Sequence, residues 1–122
     1  MDHAQKVKVV EGYVAAYNAR DLPAILALYA PEATMEDPVG DPPARGPEEI
    51  GALYQKGFEM GVVLELDGAI RSAAQAVVFP LCARTESSQL YIIDLFEFDA
   101  AGQVSQMKAY WSRDNLVGEM DI

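Results

Sequence analysis

The chain has 122 residues, of which 51% are hydrophobic, and this length suits one domain spanning residues 1–122 with a modest core. Nine basic against nineteen acidic residues leave a net charge of −10, which repels nucleic-acid phosphates and anionic membrane surfaces. We therefore expect a small neutral molecule as the partner, and neither a nucleic acid nor a membrane.

The N-terminal segment 1–10 carries Asp2, Lys6 and Lys8 among brief apolar stretches, which is not typical of a signal peptide or a spanning helix. We therefore expect a cytoplasmic location. The single cysteine, Cys82, cannot form an internal disulfide and lies in an apolar run. We interpret it as a core residue, because a nucleophilic cysteine needs neighbours that stabilise the thiolate.

Three helices are predicted in the first half of the chain. The first places four residues on one apolar face, at steps of three and four: Val7, Val10, Tyr13 (or Val14) and Tyr17. Asp21 and Pro23 start the second, whose inward residues are Leu22, Ile25, Leu28 and Tyr29. The third begins after Gly46, with carboxylates in a first turn that favours them, and buries Ile50, Leu53, Tyr54 and Phe58.

From residue 62 onward the apolar period changes to two, which predicts strands. These strands cover residues 62–66, about 74–84, 90–98 and 104–111, and residues 99–102 make a short hairpin connection between the last two. Helices followed by a mainly antiparallel sheet make an α+β domain. A curved sheet closed by three helices would enclose one deep apolar pocket.

The strand 90–98 contains a lone carboxyl. On strand alternation Asp94 shares its face with four large apolar residues, Leu90, Ile92, Phe96 and Phe98. An ionised carboxylate is costly there, so one interpretation is a raised pKa and a neutral acid that donates a hydrogen bond. The other is a carboxyl that reaches a distant arginine or solvent, and the strand alone does not decide between them.

A second carboxyl, Asp37, precedes Pro38 at the end of a short extended stretch, residues 34–37. Because prolines restrict the backbone here, Asp37 suits a positioned general base. Many Asp-Pro pairs, however, merely initiate a turn. The spacing leaves both interpretations open.

Three tyrosines, Tyr13, Tyr29 and Tyr54, fall on the predicted inner faces of three different helices. A buried phenol must find a hydrogen-bond partner, so each is compatible with an ordinary core tyrosine. Their convergence with Asp94 raises the alternative, which is a hydrogen-bonded donor chain facing the pocket, and both interpretations stay open. Without clustered His/Cys ligands or a glycine-rich phosphate loop, we expect no metal and no cofactor.

Several blocks of the chain resemble the bacterial Δ5-3-ketosteroid isomerases. The first runs from Leu28 to Ala30 and then through ATMEDPVG at 33–40, with PP at 42–43 and RG at 45–46. The resemblance resumes with IID at 92–94 and QMKAYWS at 106–112, so it covers most of the chain. It implies a cone-shaped, curved, mainly antiparallel sheet closed by three N-terminal helices, as in nuclear-transport-factor-like and SnoaL-like proteins.

The resemblance also implies an activity, that of a cofactor-free steroid Δ-isomerase acting on neutral 3-oxo-Δ5-steroids. The family's catalytic base falls on Asp37, its oxyanion-binding tyrosine on Tyr13 and its protonated aspartic acid on Asp94. This family is itself a known case of an aspartic acid kept neutral by an apolar site. Its supporting residues fall on Tyr29, Tyr54, Met107 and Trp111.

Two departures from the family pattern bear on which substrate fits. Leu81 stands where a pocket aromatic is expected, and the segment 57–63 is only loosely similar.

A homodimer is expected as well, since Tyr91, Ile93 and Leu95 make the second face of the Asp94 strand apolar.

Two other functions remain alternatives, because one fold serves many activities. One is a non-catalytic small-molecule binding module, which would not need both Asp37 and Asp94. The other is a polyketide-cyclase-like enzyme of the same fold. An epoxide hydrolase would require polar partners such as Arg and Asn around a water-activating carboxylate, and the matching strand positions here are apolar.

Overall fold

The computed structural model describes all 122 residues, and three helices precede most of an eight-stranded sheet. The elements in chain order are α1 (His3–Asn18), α2 (Leu22–Leu26), β1 (Tyr29–Glu36), β2 (Ala44–Arg45), α3 (Gly46–Glu59), β3 (Val63–Leu66), β4 (Arg71–Ala73), β5 (Ala76–Arg84), β6 (Ser88–Phe98), β7 (Val104–Tyr110), a 3-10 turn (Arg113–Asn115) and β8 (Leu116–Gly118). No helix combines the length and the apolar run that crossing a bilayer requires.

The starts of α1 and α3 follow from local sequence. Asp2 and Gln5 form a reciprocal capping box at α1, which satisfies two backbone N–H groups that the helix leaves free. In α3, Glu48 and Glu49 lie in the first turn and Lys56 in the last, as the helix dipole favours.

Three predicted helix positions are wrong. Leu53 of α3 is 38% exposed, and the buried position between Ile50 and Tyr54 is Gly51, which packs against α2. Leu28 and Tyr29 do not lie on a helix, because α2 ends at Leu26 and Tyr29 begins β1.

The end of α2 has a physical cause in the residues that follow it. Pro31 disfavours helical backbone at the residue before it, so an extended chain is favoured. The carbonyl of Leu28 then accepts a hydrogen bond from the Val104 amide at 2.8 Å, which joins this segment to β7.

The sheet has the strand order β2-β1-β7-β6-β5-β3, with β4 paired to β5 and β8 to β6. Every pairing is antiparallel except that of β1 with β7, so the prediction of a mainly antiparallel sheet is confirmed. Only the last residues of β1 are predicted as extended, and β2, β4 and β8 are not predicted. These three strands are two or three residues long and largely exposed, so they carry no apolar alternation.

The core lies between the curved sheet and the helices. The predicted alternation of β6 is confirmed, since Leu90, Asp94, Phe96 and Phe98 are buried while Tyr91 and Ile93 are exposed. Cys82 is a free thiol buried in β5, as predicted.

Candidate active site

One cavity of about 300 Å³ opens between the inner face of the sheet, α1 and α3. Seventeen of its 24 lining residues are hydrophobic, and few polar side chains reach it. Small-molecule sites have this size and this character, with a few placed polar groups fixing the orientation of the ligand.

Asp94 lies in the wall of this cavity, and only 2% of it is exposed. In β6 it is flanked along the sheet by Phe79 of β5 and Ala109 of β7. Burial, together with a smaller effect from the Asp37 carboxylate, raises the pKa of Asp94 well above its usual range. Its Oδ1 is the one fully buried side-chain oxygen or nitrogen without a hydrogen-bond partner. A protonated acid aimed at a ligand would account for that unpaired atom.

The tyrosines form a buried cluster next to Asp94. Tyr13 packs edge-on against Phe96 at a ring separation of 5.1 Å and against Tyr54 at 6.0 Å. The hydroxyls of Tyr54 and Tyr29 are hydrogen bonded at 2.5 Å. Burial raises the pKa of each of these three phenols well above 10, so all of them are neutral donors at physiological pH. For Tyr13 the Asp94 carboxyl adds to the rise, and the Tyr54 hydroxyl opposes it.

Asp37 lies directly after β1, and Trp111 lies directly after β7. Because these strands run parallel, their C-terminal ends meet at one edge of the sheet. The indole Nε1 of Trp111 donates a hydrogen bond of 2.6 Å to Asp37 Oδ1. Burial raises the pKa of Asp37, the Trp111 hydrogen bond lowers it, and the nearby Asp41 adds a smaller rise.

The structure brings six of the seven predicted site residues to the cavity wall: Tyr13, Asp37, Tyr54, Asp94, Met107 and Trp111. The seventh, Tyr29, lies behind the wall and reaches the site through Tyr54. Leu81, at the position where an aromatic was expected, lines the cavity as well.

Sequence reasoning missed three parts of the wall. Tyr17 had a signal, because it lies on the apolar face of α1 one turn after Tyr13. Asp41 faces the cavity close enough to Asp37 to influence its pKa, and its loop position gave no signal. The C-terminal segment 120–122 also lines the cavity, although no periodic pattern in the sequence marks it.

The arrangement combines one proton acceptor with neutral donors in an apolar cavity. Asp37 accepts a hydrogen bond from Trp111, and burial raises its pKa, so that its carboxylate form would be a stronger base than an exposed aspartate. Tyr13 and Asp94 line the same cavity, and their raised pKa values favour the neutral forms, which can donate hydrogen bonds to an oxygen of a ligand. Such a site suits the removal of a proton from a carbon next to a carbonyl group.

Comparison with known proteins places this geometry in a family. The SnoaL-like domain family matches residues 10–111. The protein named Steroid Delta-isomerase from Nocardioides simplex is 36% identical over an alignment of 118 residues, and the match covers 93% of this chain and 95% of that protein.

A solved structure of SalBIII, described as an epoxide hydrolase/cyclase-like enzyme in pyran ring formation in polyether salinomycin, superimposes with a TM-score of 0.89. The superposition covers 97% of this chain and 98% of the SalBIII chain. The sequence identity is 20%, so this likeness shows the fold alone. The family match and the identity to the Nocardioides protein together show that the chain belongs to the SnoaL-like domain family and, within it, to the family of the bacterial steroid Δ-isomerases.

Proposed function

We propose that the chain is a steroid Δ-isomerase that converts neutral 3-oxo-Δ5-steroids into conjugated 3-oxo-Δ4-steroids without a cofactor. One observation carries the proposal: a buried, unpaired Asp94 carboxyl shares an apolar cavity with the Asp37 carboxylate. The activity named for the Nocardioides relative supports the same substrate class.

In the first step Asp37 removes a proton from the carbon between the ketone and the double bond. Its second oxygen is free for this, because the Trp111 hydrogen bond occupies Oδ1. The C–H electron pair moves into the skeleton, and the negative charge of the resulting dienolate accumulates on the ketone oxygen.

Two neutral groups stabilise that oxygen by donating hydrogen bonds to it: the phenol of Tyr13 and the carboxylic acid of Asp94. Donors that are already in place need no solvent reorganisation when the charge forms, so they stabilise the transition state more than water would. Tyr54 and Tyr29 hold the tyrosine cluster from behind through their own hydrogen bond.

In the second step the protonated Asp37 returns its proton to the far end of the dienolate, on the same face. One carboxyl group thus acts first as base and then as acid. The product is the conjugated enone, the atoms balance, and Asp37 is a carboxylate again.

The proposal extends to assembly and location. The acidic surface supports a neutral substrate, and the exposed apolar side chains of β6 and β7 support a homodimer that covers them. The cytoplasmic location stays a prediction.

The test is an ultraviolet assay with 5-androstene-3,17-dione, because conjugation of the enone creates a new absorbance. We expect turnover by the native chain and nearly none by Asp37→Asn. Failure to isomerise this compound or other 3-oxo-Δ5-steroids would overturn the proposal. Binding without turnover would favour the non-catalytic module, and cyclisation of a polyketide instead would favour the cyclase-like alternative.

A further inference from the structure

Tyr17 is a cavity-lining tyrosine for which the proposed reaction has no use. It lies on α1 one turn after Tyr13 and is 5% exposed. Its hydroxyl makes no hydrogen bond within the protein. It is also not fully buried, because the only fully buried side-chain polar atom without a partner is Asp94 Oδ1. The Tyr17 hydroxyl therefore remains open to the cavity.

The ring of Tyr17 is held firmly in this position. Phe58 and Tyr54 pack edge-on against it at ring separations of 5.0 and 6.1 Å. The guanidinium of Arg20 lies 5.6 Å from the ring centroid and is anchored to the Val62 carbonyl. Packed on three sides, the phenol cannot swing freely to find another partner.

The opposite helix leaves room for the hydroxyl specifically. A Cβ atom at Gly57 of α3 would lie only 2.2 Å from the Tyr17 hydroxyl oxygen. A phenylalanine would fill the same ring position without needing that space, and glycine is unfavourable inside a helix. A hydroxyl with no protein partner and a glycine that accommodates it are hard to explain by packing alone.

We propose that the Tyr17 hydroxyl is a second hydrogen-bonding subsite, which selects 3-oxo-steroids that carry an additional hydroxyl or carbonyl oxygen on the ring skeleton. This inference rests on the proposed function. Burial raises the pKa of Tyr17 to about 12, so the phenol is a neutral donor that can also accept.

The helix geometry limits where the additional oxygen lies. Tyr13 and Tyr17 are four residues apart on one face of α1, a rise of about 6 Å. With the ketone oxygen at Tyr13 and a similar separation between the two hydroxyls, we expect the second oxygen in the half of the skeleton nearer the ketone or at its middle, not at the far end. The wall there includes Gly57, Met60 and Val62, from the segment in which the chain resembles the ketosteroid isomerases only loosely.

The test compares 5-androstene-3,17-dione with a panel of its derivatives that carry one hydroxyl at C1, C7, C11 or C19. The measured quantity is the ratio of kcat/KM for each derivative to that of the parent, for the native chain and Tyr17→Phe. A neutral hydrogen bond corresponds to about a 2- to 13-fold preference. We expect at least one derivative to be preferred by the native chain, and this preference to disappear in Tyr17→Phe.

A matched pair of glycine variants probes the same subsite from the other helix. Gly57→Ala should displace the hydroxyl and reduce the preference, whereas Gly12→Ala on α1, where a Cβ meets nothing within 4 Å, should retain it. Quenching of the fluorescence of Trp111, the one tryptophan of the chain, gives the Kd of the conjugated products as a second readout.

The outcomes separate this inference from the proposed function. If the native chain isomerises the parent but prefers no derivative, or if Tyr17→Phe keeps the preference, the subsite is refuted while the isomerase proposal stands. If no 3-oxo-Δ5-steroid is turned over, the isomerase proposal fails. The Kd values of the conjugated products for the native chain and for Tyr17→Phe then show whether the Tyr17 hydroxyl binds the additional oxygen.

Discussion

Two aspartates in one cavity have different surroundings, and this difference supports the different roles proposed for them. Asp37 has a hydrogen-bond donor, Trp111, that stabilises its charged form, whereas Asp94 has none and is surrounded by apolar side chains. Burial raises the pKa of both carboxyls, and the rise is larger for Asp94. One residue type can thus serve both proposed roles, that of a base and that of a neutral donor.

Replacement of Asp37 by asparagine tests the base. We expect Asp37→Asn to fold and to bind steroid-like phenols, because the amide keeps the shape of the side chain, but to lose about a hundred- to ten-thousand-fold in kcat. Steady-state kinetics with the ultraviolet assay measure this loss. Activity near that of the native chain would mean that another residue, such as Glu36, is the base.

Asp94 is tested by two replacements that differ in one property. Asp94→Asn still presents an N–H to the ketone oxygen, whereas Asp94→Leu leaves only apolar surface, so asparagine should retain clearly more activity. Loss of one oxyanion donor costs up to about 10²- to 10³-fold in kcat. Kinetics at pH 7, with circular dichroism to check folding, make the comparison, and equal rates would contradict the donor role.

The raised pKa of Asp94 also predicts how stability depends on pH. Between the ordinary carboxyl pKa and the raised pKa, the folded chain holds a proton on Asp94 that the unfolded chain has released. The contribution of Asp94 to stability is therefore complete at low pH and is lost as pH rises between these two pKa values. In that range the free energy of unfolding falls by about 1.4 kcal/mol per pH unit.

Urea unfolding of the native chain and Asp94→Asn at several pH values measures this contribution. The free energy of unfolding of the native chain should fall more steeply with rising pH than that of the variant. Parallel curves would show that Asp94 is ionised in the folded chain, as an ordinary carboxylate would be.

At the scale of elements, the parallel pairing of β1 with β7 brings Asp37 and Trp111 together. Because the indole hydrogen bond lowers the pKa of Asp37, Trp111→Phe should raise that pKa and move the acid limb of the kcat/KM profile to higher pH. Tyr110→Phe, on the exposed side of β7, is a suitable control. An unmoved acid limb would show that this hydrogen bond does not influence the base.

At the scale of the whole molecule, the outer face of the sheet carries exposed apolar side chains. Tyr91, Ile93, Tyr110 and Val117 are between 39% and 60% exposed, and Ile93 pairs directly with Tyr110 across β6 and β7. We expect a homodimer by sedimentation equilibrium at micromolar concentration, and Ile93→Lys should weaken it. A monomeric mass for the native chain would contradict this prediction.

Much of the fold could be predicted because local patterns mark it. Charge in the first turn predicts the start of α3, and strict alternation predicts the buried face of β6, including Asp94. Tyr29 was misplaced because a tyrosine after a short apolar helix fits both periods, and only its pairing beside β7 decides that it is a strand residue. The strands β4 and β8 depend on their neighbours alone.

The sequence by itself determined which side chains are available for proton transfer and which face of each element is apolar, since both depend on residue type and spacing. Only the tertiary structure decided that Asp37 meets Trp111, that Asp94 has an unpaired oxygen and that Tyr17 opposes Gly57. The physical reason is that these relations join residues far apart in the chain. Pairing between strands and packing between helices fix such distances, and local propensity does not.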